Sequence, residues 1–194
     1  MPDSRFPAPD SRLPHLASAR VGVALLMGAS AMLFAGGLGA MIVLWNSHNG
    51  FAELPPPPVG MSLVATLVLV MATFCCWFAG QLLAAGRRGS GANGVYVAFL
   101  LTVAFVGIQL ADRFGEYSAT LALATNLFHA LFWFLTLLHL LHVVIALLML
   151  GRLAVQSWKG TLPTEEKGGI DWAINWMLYL LAVWLVLMLV MFII

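Results

Sequence analysis

The sequence predicts an all-α protein, a polytopic membrane helix bundle of five transmembrane helices. Three observations carry that reading. Charged residues make up 9% of the chain, against roughly 25% in soluble domains. Five apolar stretches, residues 21–45, 59–85, 94–111, 121–150 and 172–194, are long enough for helices that cross a hydrocarbon core of about 30 Å. All nine basic and all eight acidic side chains fall outside those stretches. Runs this long and uniform do not suit barrel strands, and an open sheet edge does not survive in lipid.

Residues 1–20 form a polar N-terminal arm, and residues 21–194 form the membrane domain. The arm carries Arg5, Arg12 and Arg20 with Asp3 and Asp10, and it lacks the apolar content of a core. The apolar run over residues 21–45 is far longer than the ~7–15 residues of a signal-peptide core, so it reads as an uncleaved first span. It holds small residues four apart, Ala35 with Gly39 and Gly36 with Ala40, a spacing that lets membrane helices approach closely. A loop with Glu53 and the rigid run Pro55–Pro58 follows. The second span, residues 59–85, has few polar groups: Ser62, Thr66, Thr73 and Gln81. Its adjacent Cys75 and Cys76 point about 100° apart on a helix and read as packing. Gly86 to Asn93 reads as a glycine-rich turn bearing Arg87 and Arg88. The third span, residues 94–111, is near the lower limit of length.

Lysine and arginine set the orientation. Eight of the nine lie in the arm, the second loop and the fourth loop, and Arg113 stands alone on the other side. Basic loops stay in the cytoplasm. The N-terminus is therefore expected to be cytoplasmic and the C-terminus, after five spans, external. Trp45, Tyr117, Trp158 and Trp172 lie near span ends, where interfacial aromatics belong. The net charge of +1 gives no reason to expect a nucleic-acid partner.

The fourth span, residues 121–150, holds His129, His139 and His142 and no formal charge. Asn126, His129, Trp133, Thr136, His139 and His142 are three or four apart, so they form one winding polar seam. Polar groups at depth face other helices rather than lipid. Two readings follow. The seam ligates a metal or haem, with His139 and His142 as the candidate pair, or it is a structural seam hydrogen-bonded to a neighbouring helix or subunit. No other span contains a histidine, and none contains Asp or Glu. A carboxylate-bridged di-iron site therefore lacks its ligands, and a proton relay lacks its acids. The structural seam is the reading these absences favour.

The stretch LFHALFWFLTLLHLLHVVIALLML resembles the signature helix of the cytochrome c oxidase subunit III family, the haem–copper oxidase subunit III. That helix carries a His-x-x-His-Val element after an aromatic, Thr-containing run, here His139-Leu140-Leu141-His142-Val143. ASAMLFAG, Ala29 to Gly36, is similar to the family's Ser-Glu-Val-Met-Leu-Phe-Ala-Gly segment, and it places Ser30 where the family often has glutamate. The last span keeps Trp172, Trp176 and Trp184 but lacks the histidine of the family's Trp-His-x-x-Asp pattern. Five spans match the family's short form, which lacks the first two of seven helices and keeps the same end-to-end topology.

The resemblance implies a non-catalytic subunit of a haem–copper terminal oxidase in aerobic electron transport, not an enzyme by itself. Its partners would be catalytic subunit I, against which it packs and which it stabilises, subunit II in the same complex, and membrane lipids. The haems and copper would sit in those partners. No cofactor, metal or catalytic residue is expected in this chain, and bound phospholipid between its helices is. The location implied is a bacterial-type inner (plasma) membrane. An accessory subunit of nitric oxide reductase is a second reading. A histidine-ligated haem-binding or small-solute membrane carrier is a third, from a different class.

Overall fold

The computed structural model describes residues 13–47, 59–115, 127–159 and 168–193. They form five α-helices: α1 Leu13–Ser47, α2 Val59–Ala84, α3 Arg88–Gly115, α4 Leu127–Trp158 and α5 Gly168–Ile193. No strand occurs among the described residues. Each helix contains an apolar segment of 23 to 29 residues with a mean hydropathy of 1.9 to 2.4. The shortest of these rises about 35 Å, enough to cross a bilayer core. A helix satisfies its backbone groups internally, which is why lipid admits it. Large apolar side chains such as Leu67, Phe78 and Leu148 point outward, as a lipid-facing surface requires. The chain is an integral membrane protein.

Hydropathy and backbone differ between α2 and α3. The glycine-rich run expected as a turn is mostly helix, because α3 starts at Arg88 rather than Gly94. Only Ala85 to Arg87 turn. Gly86 has φ 76°, and the bonds Arg87 N–H to Leu82 O (2.9 Å) and Gly86 N–H to Leu83 O (3.0 Å) close a Schellman motif. Two glycines beyond the turn, Gly91 and Gly94, serve packing. A Cβ on Gly94 would stand 2.8 Å from Ala79 Cβ, and one on Gly91 would stand 2.5 Å from Leu83 Cγ. The inner stripe of α3 is Gly91, Val95, Ala98, Thr102, Phe105 and Gln109, spaced alternately by four and three. That spacing is the seam of a left-handed helix pair.

α2 and α3 are the most closely packed pair; α4 lies against α3 and α5, and α5 also against α2. Their shared core centres on Leu69, Cys76, Phe105, Leu150, Trp176 and Trp184, with small residues such as Ala72, Ala98 and Ala146 at the helix crossings. Cys75 is half-buried, and both cysteines are free thiols.

α1 stands apart. It makes its contacts mainly with α4 and α5, through a second cluster of Phe34, Met41, Leu135 and Leu187. Only 11% of its apolar window is buried, against 28% to 44% in the other helices. The small-residue pairs that the sequence marks for close approach are not used among the described residues. Ala35, Gly36, Gly39 and Ala40 are exposed, and a Cβ on Gly36 or Gly39 would meet nothing. Gly37 makes the close approach instead, under Leu135.

Candidate functional site

Ser30, His139 and His142 are buried where α1 crosses α4 and α5, and Ser62, Thr73, Thr102 and Gln109 are buried on α2 and α3. On α4, Thr136, His139 and His142 are buried and Trp133 is half-buried. His129 lies on the same helix with its side chain outside the described residues, and Asn126 lies outside them altogether.

The three buried groups do different things. Thr136 donates to the Phe132 carbonyl of its own helix at 2.9 Å. Thr73 and Thr102 likewise bond one turn back, to Leu69 and Ala98. A hydroxyl spent this way ties no helix to another.

His142 does cross between helices. Its Nδ1 lies 2.7 Å from the Leu138 carbonyl. A carbonyl only accepts, so Nδ1 donates to it, and Nε2 is left to accept from a neighbouring hydroxyl. Ser30 Oγ lies 2.7 Å from that nitrogen and donates to it. Tyr179 OH lies 2.7 Å from the same Oγ and donates in turn. The result is a directed chain, Tyr179 to Ser30 to His142 to Leu138, joining α5, α1 and α4. Trp176 adds a bond from its indole Nε1 to the His142 carbonyl, 3.2 Å, and stacks on the imidazole at 17°. Phe34, one turn after Ser30, packs against both histidines, with ring centroids 5.5 Å from His142 and 6.3 Å from His139.

His139 is 1% exposed and has no hydrogen-bond partner at either ring nitrogen. Trp184, Phe105 and Phe34 enclose its ring. Trp184 spends its indole N–H on Thr66 Oγ1 of α2, at 2.9 Å.

A serine hydroxyl on an imidazole is also the start of a nucleophilic dyad. Ser30 is a poor candidate for that chemistry. It is 5% exposed, and both its hydrogen-bond directions are taken by Tyr179 and His142. Its histidine is oriented by a backbone carbonyl and not by an acid. Among the described residues no three His, Cys, Asp or Glu side chains come together as a metal site would need.

A family model for cytochrome c oxidase subunit III matches residues 21–194, which include the membrane spans of all five helices. The chain belongs to the cytochrome c oxidase subunit III family. That family is a non-catalytic subunit of an oxidase complex, without metal centres of its own. In this chain of the family, the structure puts the Ser30 hydroxyl on His142. Sequence reasoning singled out His139 and His142 but missed Tyr179 and Gln109. The available signal was an aromatic hydroxyl and an amide deep in apolar spans, where each needs a partner.

Ser30→Ala is expected to strand the Tyr179 hydroxyl and His142 Nε2. The two lost bonds are worth about 1–2 kcal/mol together. The denaturation midpoint in detergent should fall accordingly, and Ser30→Thr, which keeps the hydroxyl, should restore much of it. An unchanged midpoint in Ser30→Ala would show that the chain of hydrogen bonds contributes nothing net.

Proposed function

We propose that this chain is subunit III of a haem–copper terminal oxidase of the cytochrome c oxidase type. In this reading it docks on catalytic subunit I, with subunit II in the same complex, and keeps subunit I in working order during aerobic electron transport. The family match over residues 21–194 carries the reading. The interior supports it. The buried polar residues among those described include no Asp, Glu, Lys or Arg, so no carboxylate is at hand to relay protons. Ser30 supplies a hydroxyl where a glutamate would supply an ionisable group, so an acid's role at that position does not carry over. The haems and copper belong to the partner subunits. The open small-residue flank of α1 suits close contact with a neighbouring helix, and the apolar outer faces suit phospholipid.

Removing the chain from the complex tests this. The stripped complex should keep its haem spectrum and most of its initial turnover, then lose activity faster than the intact complex during sustained turnover. Immediate loss of oxygen reduction with the haems in place would instead assign the chain a direct catalytic part.

The orientation belongs to the same proposal. The basic arm and the Arg87–Arg88 turn would face the cytoplasm of a bacterial-type inner membrane, with the C-terminus external. Reporter fusions after Arg88 and after Ile194 should score on opposite sides. Same-side scores would rule this orientation out.

A further inference from the structure

We propose that the pocket between α3, α4 and α5 is a binding site for one ordered water molecule, held between the His139 imidazole and the Gln109 side-chain amide. Among the described residues, three buried side-chain nitrogens lack a hydrogen-bond partner: His139 Nδ1, His139 Nε2 and Gln109 Nε2. All three belong to two residues that line one small cavity, together with Thr136, Trp133, Phe105 and Trp184. His139 is 1% exposed and Gln109 4%, so neither reaches bulk solvent or lipid headgroups. A buried polar group without a partner is destabilising, and the hydrocarbon of a bilayer offers nothing to satisfy it. A shared, unmet need for a partner at one place points to a shared ligand.

The space fits water and little else. The cavity leaves about 10 Å³ for the centre of a water molecule, close to the room one water requires. A buried water also needs two to four polar partners. Gln109 Nε2–H donates to its oxygen. One water hydrogen goes to the ring nitrogen of His139 that bears no proton. The other has Thr136 Oγ1 as an acceptor, since that hydroxyl has given its own hydrogen to Phe132. The remaining His139 nitrogen lies among aromatic rings, with Phe105 edge-on at 81° and Trp184 tilted at 32°. An N–H in such a setting finds weak compensation at a ring face.

Gln109 is one helical turn, about 5 Å, from Asp112, the last residue of the α3 span. The arrangement also separates the two histidines. His142 is satisfied by protein groups, and His139 is satisfied by solvent.

Water-edited solid-state NMR of the ¹⁵N-labelled chain in lipid bilayers tests the site. The His139 ring nitrogens, assigned through their own α-carbon, should receive magnetisation from water, while those of His142 should receive far less. Gln109→Leu should reduce the His139 transfer to background. A density map of the intact complex that resolves waters should show one peak within hydrogen-bond distance of both side chains. No transfer to His139 in the unmodified chain, an empty pocket, or a direct Gln109–His139 bond would each overturn the proposal. Transfer that persists in Gln109→Leu would overturn the part assigned to the amide.

Discussion

Gly94→Leu is expected to break the α2–α3 hairpin. The first atom of the new side chain would already stand 2.8 Å from Ala79 Cβ and 3.3 Å from Ala79 Cα. The second of these is backbone, so rotating a side chain away does not solve the clash. The helices must part, and three more carbons must then be housed in the same seam. Adding single methylenes to a packed core costs about 1–3 kcal/mol. A leucine wedged between backbones should exceed that and leave little folded chain. Gly107→Leu is the matched control. It sits on the same helix, is exposed, and meets nothing within 4 Å at its Cβ position. There the change gains up to about 1 kcal/mol of helix propensity. Yield of folded protein and the denaturation midpoint in detergent should separate the two variants sharply. Comparable behaviour would mean that the close approach at Gly94 is not what holds α2 to α3.

The glycines also show where sequence reading reached its limit. Five helices were legible because charge is so costly in lipid that its absence marks each span. The start of α3 was not. Gly86 to Asn93 has the composition of a turn in water, but in a membrane the same glycines let backbones touch, as Gly91 and Gly94 do against Leu83 and Ala79. Inner and outer faces were hidden for a related reason. Apolar residues surround every helix, so hydrophobicity does not mark the buried side. Small and polar residues mark it instead, as the α3 stripe from Gly91 to Gln109 does.

The polar site divides in the same way. His139 and His142 stood out by residue type. Their different fates did not, because these depend on which helix crosses at which height. Ser30 and Phe34 arrive over the histidines from a helix more than a hundred positions earlier in the chain. Tyr179 completes the hydrogen-bond chain from the last helix. The small-residue pairs of α1 were legible as a surface for close contact, but none of the described residues occupies that surface.

Trp184→Ala should cost about 3–5 kcal/mol, the range for removing a large buried aromatic. Trp184 is 1% exposed and joins its own helix to the other three of the four closely packed helices. From α5 it donates to Thr66 on α2, meets Phe105 on α3 edge-to-face at 5.4 Å, and lies 5.4 Å from the His139 ring on α4. Its loss leaves the void of an indole beside the existing pocket at Gln109 and His139. The surrounding helices are fixed by backbone contact on the α2–α3 side and so collapse only in part. Trp184→Phe separates the contributions. It keeps a ring against Phe105 and His139 and gives up the bond to Thr66, for about 0.6 kcal/mol and at most about 2. Trp158→Ala serves as the exposed comparison, since that side chain is 93% exposed. The expected order of denaturation midpoints is Trp158→Ala close to the unmodified chain, then Trp184→Phe, then Trp184→Ala far below both. If Trp184→Phe fell as far as Trp184→Ala, the indole hydrogen bond rather than ring packing would be what joins the four helices.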